Sequence, residues 1–593
     1  MSSLSEIIEE GVQTHFHGFN DDLEVPVGLK VVVSPDVRLR QLPSLNGCPA
    51  MWSADSICES FNCRRLNLDG GMMHCFVQAV LACALLLSIV STPCAADENP
   101  QRQAERPYLT LFISSHDRIR QACETVFESI DRPDLAQSIG ERLTGYRDFA
   151  GIERTKPAGI MTTWDDEKPL DVVFVPKTEI EELLKTATFG VVGFHEVSPD
   201  HYEIERPGSP YHVLIQKDYA LFADSVSTIR ALRVSPLQLT QGLRDKYDMA
   251  LKADLLQIPQ ATKSRWIEEI RRHLEPWLQP QDYEDAEQAN LIKNAGKLAL
   301  EVIERVILDT KSVTIGGRLD PKSRHISVEL SIESVSRSRL AGIINQLKSY
   351  RSEYAALVQP DVAAGLAFNL PLGGILDQLQ VNKGKPESKH SRMEVGLQLV
   401  GAKVGDLSLI AALHGPDVEG MNEAIPRWLG KLERAGQVAD LRENFEIHNG
   451  VVLHSLIPHE LPASVAQWTG SEIEVIVGQA ANTVWLGIGQ ATPLLERLSE
   501  AIDLVADMPK NQVAGPVVKG QFRAKALPDL LATDLLNSDS EAARKEFSRG
   551  DDGFNLTLEP SPDGLKLRVE FEEGFVRLIG RGWVQQMQEF QTR

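Results

Sequence analysis

Two stretches of the chain alternate strictly between apolar and polar side chains. They are residues 326–332 and 565–571, and each follows a turn that contains proline, aspartate and serine. A period of two predicts strands with one buried and one solvated face, which is typical of antiparallel sheets. The same pattern predicts hairpins at 211–224, turning at Lys217-Asp218, and at 472–489, turning at Ala481-Asn482.

These elements recur along the chain in the same order. Residues 105–350 and 360–590 can be laid over each other as strand, helix, paired strands, helix, hairpin, helix, strand and closing hairpin. A helical period over 281–308 predicts a long helix in the first copy, shortened to 530–549 in the second. We therefore predict an α+β fold of two tandem repeats, each a mainly antiparallel sheet with helices packed on one face.

An apolar run near the N-terminus has the features of a signal peptide. The 15 residues from Phe76 to Val90 are apolar except for two, which is short for a membrane span and suited to a secretory segment. Pro93 and the small residues of Cys94-Ala95-Ala96 follow. We predict a signal peptide over 72–96, cleaved after Ala96, and a periplasmic or secreted protein.

The 71 residues before this segment are unusual for a signal peptide. Translation starting at Met51, Met72 or Met73, instead of Met1, would make 1–71 a non-native or disordered extension. Two alternatives stay open. Residues 76–90 would anchor the protein uncleaved in the inner membrane, with a cytoplasmic tail, or Cys94 would be acylated in a lipoprotein.

The charge and cysteine content narrow the classes of partner. The net charge of −22 and the lack of a basic stripe argue against nucleic-acid binding, and membrane contact is expected only through an uncleaved signal segment. Six of the seven cysteines lie at or before Cys94, so Cys123 alone remains in the predicted mature chain. It can form neither an internal disulfide nor a thiolate metal cluster, and its helical spacing indicates a small buried residue.

None of the familiar catalytic patterns is complete. His459-Glu460 and His195-Glu196 lack the second histidine of a zinc-protease helix, and there is no nucleophile elbow, phosphate loop or calcium loop. Gly487-Ile488-Gly489 lacks the third glycine of a dinucleotide loop. We therefore assign no catalytic, cofactor-binding or metal-binding residue, and an enzyme is not the favoured class.

Two polar groups offer metal-ligand chemistry, each with a simpler interpretation. His448, His454 and His459 flank one predicted strand, and three imidazoles can bind zinc or copper. Surface or turn histidines are the simpler interpretation, because the matching part of the first copy spaces its histidines differently (His195, His201 and His212). The acidic Trp164-Asp165-Asp166-Glu167 would suit a cation, but it lies where a hairpin turns and is interpreted as a solvated turn.

Two segments resemble a known group of proteins. They are the strand-turn-strand-helix run at 159–184 and the segment 211–232, with its Tyr219-Ala220-Leu221-Phe222-Ala223-Asp224. Over about 105–590 the chain resembles a family of exported, internally duplicated bacterial proteins of planctomycete-type genomes. The resemblance implies a secreted or periplasmic location and no activity, so it supplies no functional residue.

The expected function is that of a non-enzymatic extracytoplasmic binding or structural protein, because tandem sheets backed by helices can hold a ligand or present an edge. A hydrolase with a dispersed site in the cleft between modules is one alternative, and a carrier of envelope lipids or proteins is another. The ligand, the partners and the oligomeric state stay open.

Overall fold

The computed structural model describes residues 106–592 except for a set of internal segments, namely 136–149, 166–167, 188–192, 206–209, 233, 275–295, 297–299, 301–302, 349–351, 371–392, 402–404, 416–417, 460–468, 471, 509–514 and 527–539. The predicted extension 1–71, the signal peptide 72–96 with Ala96, and most of the predicted helix 281–308 lie outside the described residues. Within the described part of the chain, no helix has the length and apolar character that crossing a membrane requires.

The described residues form twenty strands and ten α-helices with an item of their own in chain order. The strands are β1 (Leu109–Ile113), β2 (Ala158–Asp165), β3 (Lys168–Pro176), β4 (Phe194–Ser198), β5 (His201–Ile204), β6 (Tyr211–Gln216), β7 (Tyr219–Ala223), β8 (Met249–Asp254), β9 (Thr310–Asp320), β10 (His325–Ser334), β11 (Ala364–Leu370), β12 (Met393–Val400), β13 (Ser408–His414), β14 (Val438–His448), β15 (Val451–Pro458), β16 (Ile473–Ala480), β17 (Thr483–Gln490), β18 (Val518–Arg523), β19 (Gly553–Pro560) and β20 (Gly564–Phe571). The helices are α1 (His116–Ser129), α2 (Ile180–Ala187), α3 (Val226–Ala231), α4 (Pro236–Leu239), α5 (Gln260–Leu274), α6 (Arg339–Leu347), α7 (Val418–Arg434), α8 (Ala491–Ala506), α9 (Ser540–Phe547) and α10 (Glu573–Thr592).

The described residues fall into two compact units. The larger unit contains 106–352, 366–369 and 515–592, and the smaller unit contains 353–365, 370 and 393–508. Every strand pairing with a resolved register is antiparallel, so the mixed α/β fold with a large antiparallel sheet is confirmed. The units do not follow the chain order of 105–350 and 360–590, and the division into two tandem repeats is not confirmed.

The larger unit holds one long antiparallel sheet. Its strands pair in the order β4-β5-β6-β7-β3-β2-β1-β8-β9-β10-β20-β19-β18. The predicted turns are in place: β6 ends and β7 begins on either side of Lys217-Asp218, and Lys217 has a positive φ of 52°. The two closing hairpins, β9–β10 and β19–β20, pair with each other through β10 and β20.

Helices cover both faces of this sheet, so the prediction of helices on one face is wrong. Leu183 and Leu184 of α2 pack on Val213 and Phe222, whereas Ile229 of α3 belongs to a cluster on the opposite face. The physical reason lies in β7, where all five residues are buried. A strand that is apolar on both faces must be covered on both.

The closing hairpin β9–β10 also departs from a simple division into a buried and a wet face. Glu329, on the polar side of β10, is only 4% exposed. The hydroxyl of Tyr247 donates a hydrogen bond to it over 2.6 Å, and Lys246 forms an ion pair with the same oxygen. The Tyr247 ring lies over Gly316, where any side chain would collide with it. The polar face is therefore buried locally by its own partners.

The smaller unit repeats this arrangement of strands and helices. Its strands pair antiparallel in the order β14-β15-β16-β17-β13-β12, and the hairpin β16–β17 turns at Ala481-Asn482 as predicted. Leu429 of α7 is buried on one face of the sheet. Leu494 of α8 lies near Gly487 of β17. Helix α8 begins at Ala491, two residues beyond which the sequence had suggested Thr492 and Pro493 as its start.

Candidate metal centre

Three neighbouring strands at the β4 end of the larger sheet place histidines and a carboxylate on one face. Glu203 of β5 lies directly opposite His212 of β6 and His195 of β4. His201 precedes Glu203 by two residues on β5, so its side chain lies on the same face. Four polar side chains thus converge across β4, β5 and β6.

The apolar residues on the other face fix this register. Tyr202 pairs with Val213, and Val213 pairs with Phe222, and all three pack in the cluster with α2. Because side chains alternate between faces, burial of this apolar set forces the histidines and Glu203 onto the opposite face. Asp200, with a φ of 65°, makes the turn that joins β4 to β5.

The separations between the polar atoms suit a shared cation. Nε2 of His201 lies 3.4 Å from Nδ1 of His212, and that Nδ1 lies 3.4 Å from Oε1 of Glu203. Ligands bound at about 2.0–2.1 Å in a tetrahedron are about 3.3–3.4 Å apart. Candidate ligand atoms of these three residues all lie within 4.8 Å of one another. Nε2 of His195 is 3.7 Å from the other carboxylate oxygen and can supply a fourth ligand.

The surroundings favour neutral imidazole at His201. Its residue is only 7% exposed, and burial, followed by the neighbouring His212, lowers the pKa of His201 below its ordinary value. Glu203 opposes this shift, while Arg230 and His195 add to it. A neutral imidazole offers a lone pair to a metal, whereas a protonated one cannot. Zinc and related divalent transition metals are the ions that such nitrogen and oxygen ligands select.

The histidines singled out in the second copy do not come together. His448 Nε2 lies 2.6 Å from Asp503 Oδ1, and His454 is buried, where its Nδ1 accepts a hydrogen bond from the backbone of Asn444 over 3.3 Å. The backbone of His459 bonds to Gln437 over 3.1 Å. Within the part of the chain that the structure describes, the only group of three such ligands is His201, Glu203 and His212.

The other candidate group and the processing site add no ligands. Asp165 lies opposite Lys168 where β2 turns into β3, as expected of a hairpin turn, and 166–167 lie outside the described residues, as does Ala96. Cys123 of α1 is half-buried, and burial raises the pKa of its thiol, which suits an unreactive side chain.

Sequence reasoning passed over the histidines that do converge. The useful signal was His201-Tyr202-Glu203, which puts two ligands on one face of a strand. The turn at Lys217-Asp218 was also predicted, but the pairing of β5 with β6 was needed to bring His212 opposite Glu203. Spacing along the chain was compared between copies, although the relevant spacing runs across strands.

Comparison with known proteins adds no relative. The chain matches no protein-family model, no curated protein and no solved structure. The argument about function therefore rests on the geometry of the site.

Proposed function

We propose that this chain is an exported, non-enzymatic binding protein that holds one divalent transition-metal ion of the zinc class on β4, β5 and β6. The observation that carries this is the pair of 3.4 Å separations that join His201, His212 and Glu203. With His195 as the fourth ligand, the protein itself fills a tetrahedral site. A closed set of four protein ligands is typical of binding and structural sites, whereas catalytic zinc sites keep one position open.

We further propose that the protein arose by internal duplication. The strand order β4-β5-β6-β7-β3-β2 has its counterpart in β14-β15-β16-β17-β13-β12, and β8-β9-β10 in β18-β19-β20. In both copies a short 3₁₀ helix directly follows the eighth strand, at Leu255–Gln257 and at Ala524–Ala526. Matching strand order and matching helix positions support duplication, because unrelated sheets share such an order rarely.

Export is part of the proposal and has a direct test. When the full chain is expressed in a bacterial host that secretes it, we expect a mature protein that begins at Asp97, because small residues precede that position. Intact-mass and N-terminal peptide mass spectrometry of the periplasmic fraction give the result. A chain that retains residues 76–90 in the membrane fraction would support the anchored alternative and contradict cleavage after Ala96.

Metal binding is tested by titration of purified, chelator-treated protein with zinc. We expect one ion per chain by competition with a chromogenic chelator, and a cobalt spectrum of a four-coordinate site. His212→Gln and Glu203→Gln are expected to weaken zinc binding by roughly 100-fold or more, since even the outer partners of metal ligands are worth about 10–100-fold.

The matched control is His448→Gln, which removes a histidine that is bonded to an aspartate in the smaller unit. It should leave the stoichiometry and affinity unchanged. A stoichiometry near zero for the wild type would overturn the proposal. Equal losses in His448→Gln and His212→Gln would place the ion elsewhere.

A further inference from the structure

A second cross-strand polar group, in the smaller unit, shows how a carboxylate on this kind of sheet is neutralised. Arg442 of β14 donates from Nη2 to Oε1 of Glu474 over 2.5 Å and to Oγ of Ser455 over 3.0 Å. The hydroxyl of Ser455 donates to the same carboxylate oxygen. Glu474 is 4% exposed. The guanidinium of Arg442 thus links the outer strand β14 to β15 and β16.

The strand register puts this group in the row that corresponds to the metal centre. Counting back from the hairpin turns, His212 of β6 corresponds to Ile476 of β16. The residues opposite them are Glu203 and Ser455, and the residues opposite those are His195 and Arg442. The first residue of each row is about half exposed, at 55% for His195 and 50% for Arg442.

The outer strands share a second feature. The β4–β5 pairing shifts register between Glu196 and Ser198, and the β14–β15 pairing shifts between Arg442 and Glu446. Such bulges interrupt the hydrogen-bond ladder of an outer strand. Four of the five residues of β4 are exposed, so burial of apolar surface contributes little to holding it. Both outer strands therefore depend on side-chain bridges to the next strands.

We infer that the metal ion at His201, Glu203 and His212 is a structural cross-link that holds β4 and β5 to β6, as Arg442 holds β14 to β15 and β16. This rests on the proposed metal binding. In the smaller unit the bridging cation is a side chain of the protein. In the larger unit the ionic partners of Glu203 among the described residues are His195 and His212, and a bound cation completes the row.

Hydrogen exchange with and without zinc tests the cross-link. In the full chain, zinc is expected to slow exchange of the amides of 194–216 by about tenfold or more, because local opening then requires loss of the bridge. Exchange of 438–480 should not change. His195→Arg places a guanidinium opposite Glu203, so the metal-free variant should already show slowed exchange at 194–216, and zinc should add less.

The matched control is Glu196→Arg, which adds the same charge to the same strand on the other face, opposite Tyr202. It should leave exchange of the metal-free protein as in the wild type. If zinc binds with the expected stoichiometry but exchange at 194–216 is unchanged, the cross-link is overturned and metal binding stands. If zinc does not bind, both proposals fail.

Discussion

Glu329→Ala is expected to lower the free energy of unfolding of the larger unit by about 3 kcal/mol, because it leaves buried partners without their acceptor. Tyr247 is 4% exposed and donates its hydroxyl to Glu329 over 2.6 Å, and Lys246 pairs with the same oxygen. Burial, and then the bond to Glu329, raise the pKa of Tyr247, so the hydroxyl stays protonated as a donor. Urea unfolding of the wild type and the variant at pH 7 measures the difference.

The same pair of proteins carries a pH signature. Burial raises the pKa of Glu329, but the bonds from Lys246 and Tyr247 outweigh it and hold the pKa below the ordinary value. A carboxyl with a lowered folded pKa adds stability above its unfolded pKa, near about 4.3, and loses it as the pH falls through the folded value. The gap between wild type and Glu329→Ala should be constant from about pH 7 to 5 and narrow below that.

The control for this prediction is Glu570→Ala on the neighbouring strand β20. Glu570 lies on the same face of the sheet but its side chain is 42% exposed. It should change the free energy of unfolding by less than about 0.5 kcal/mol. An equal loss in Glu570→Ala, or a gap for Glu329→Ala that does not narrow in acid, would contradict the assignment.

Local features of the fold were predictable, and features that depend on pairing were not. The turns at Lys217-Asp218 and Ala481-Asn482 lie where the sequence placed them, because turn residues act over a few neighbours. Alternation identified the polar face of β10, but it could not show that Tyr247, from more than 80 residues away, buries Glu329 there. The same limit explains the faces covered by helices.

The candidate site shows the same limit more sharply. His201 and Glu203 are two residues apart, so their shared face follows from the strand itself. His195 and His212 reach the site only because β4 and β6 pair with β5 in one register. Histidine spacing along the chain, by contrast, directed attention to His448 and its neighbours, which the fold separates.

Gly564→Ala is expected to destabilise the larger unit by about 3 kcal/mol or more, because a side chain there cannot be accommodated by rotamer changes. Gly564 begins β20 opposite Glu333 of β10. A Cβ at this position would lie 1.9 Å from the carbonyl oxygen of Ile332, which is backbone. The two closing hairpins would have to separate at this end, and hydrogen exchange of β10 and β20 should become faster.

Gly582→Ala is the matched control, because it makes the same chemical change in the opposite setting. Gly582 lies in α10, and a Cβ there would meet no atom within 4 Å. Alanine in a helix is favoured over glycine, so this variant should gain about 0.5–1 kcal/mol. Opposite signs for one substitution separate steric contact at the seam from any general effect of alanine. A Gly564→Ala protein as stable as the wild type would mean that β10 and β20 do not pair in this register, and the join between the closing hairpins would have to be abandoned.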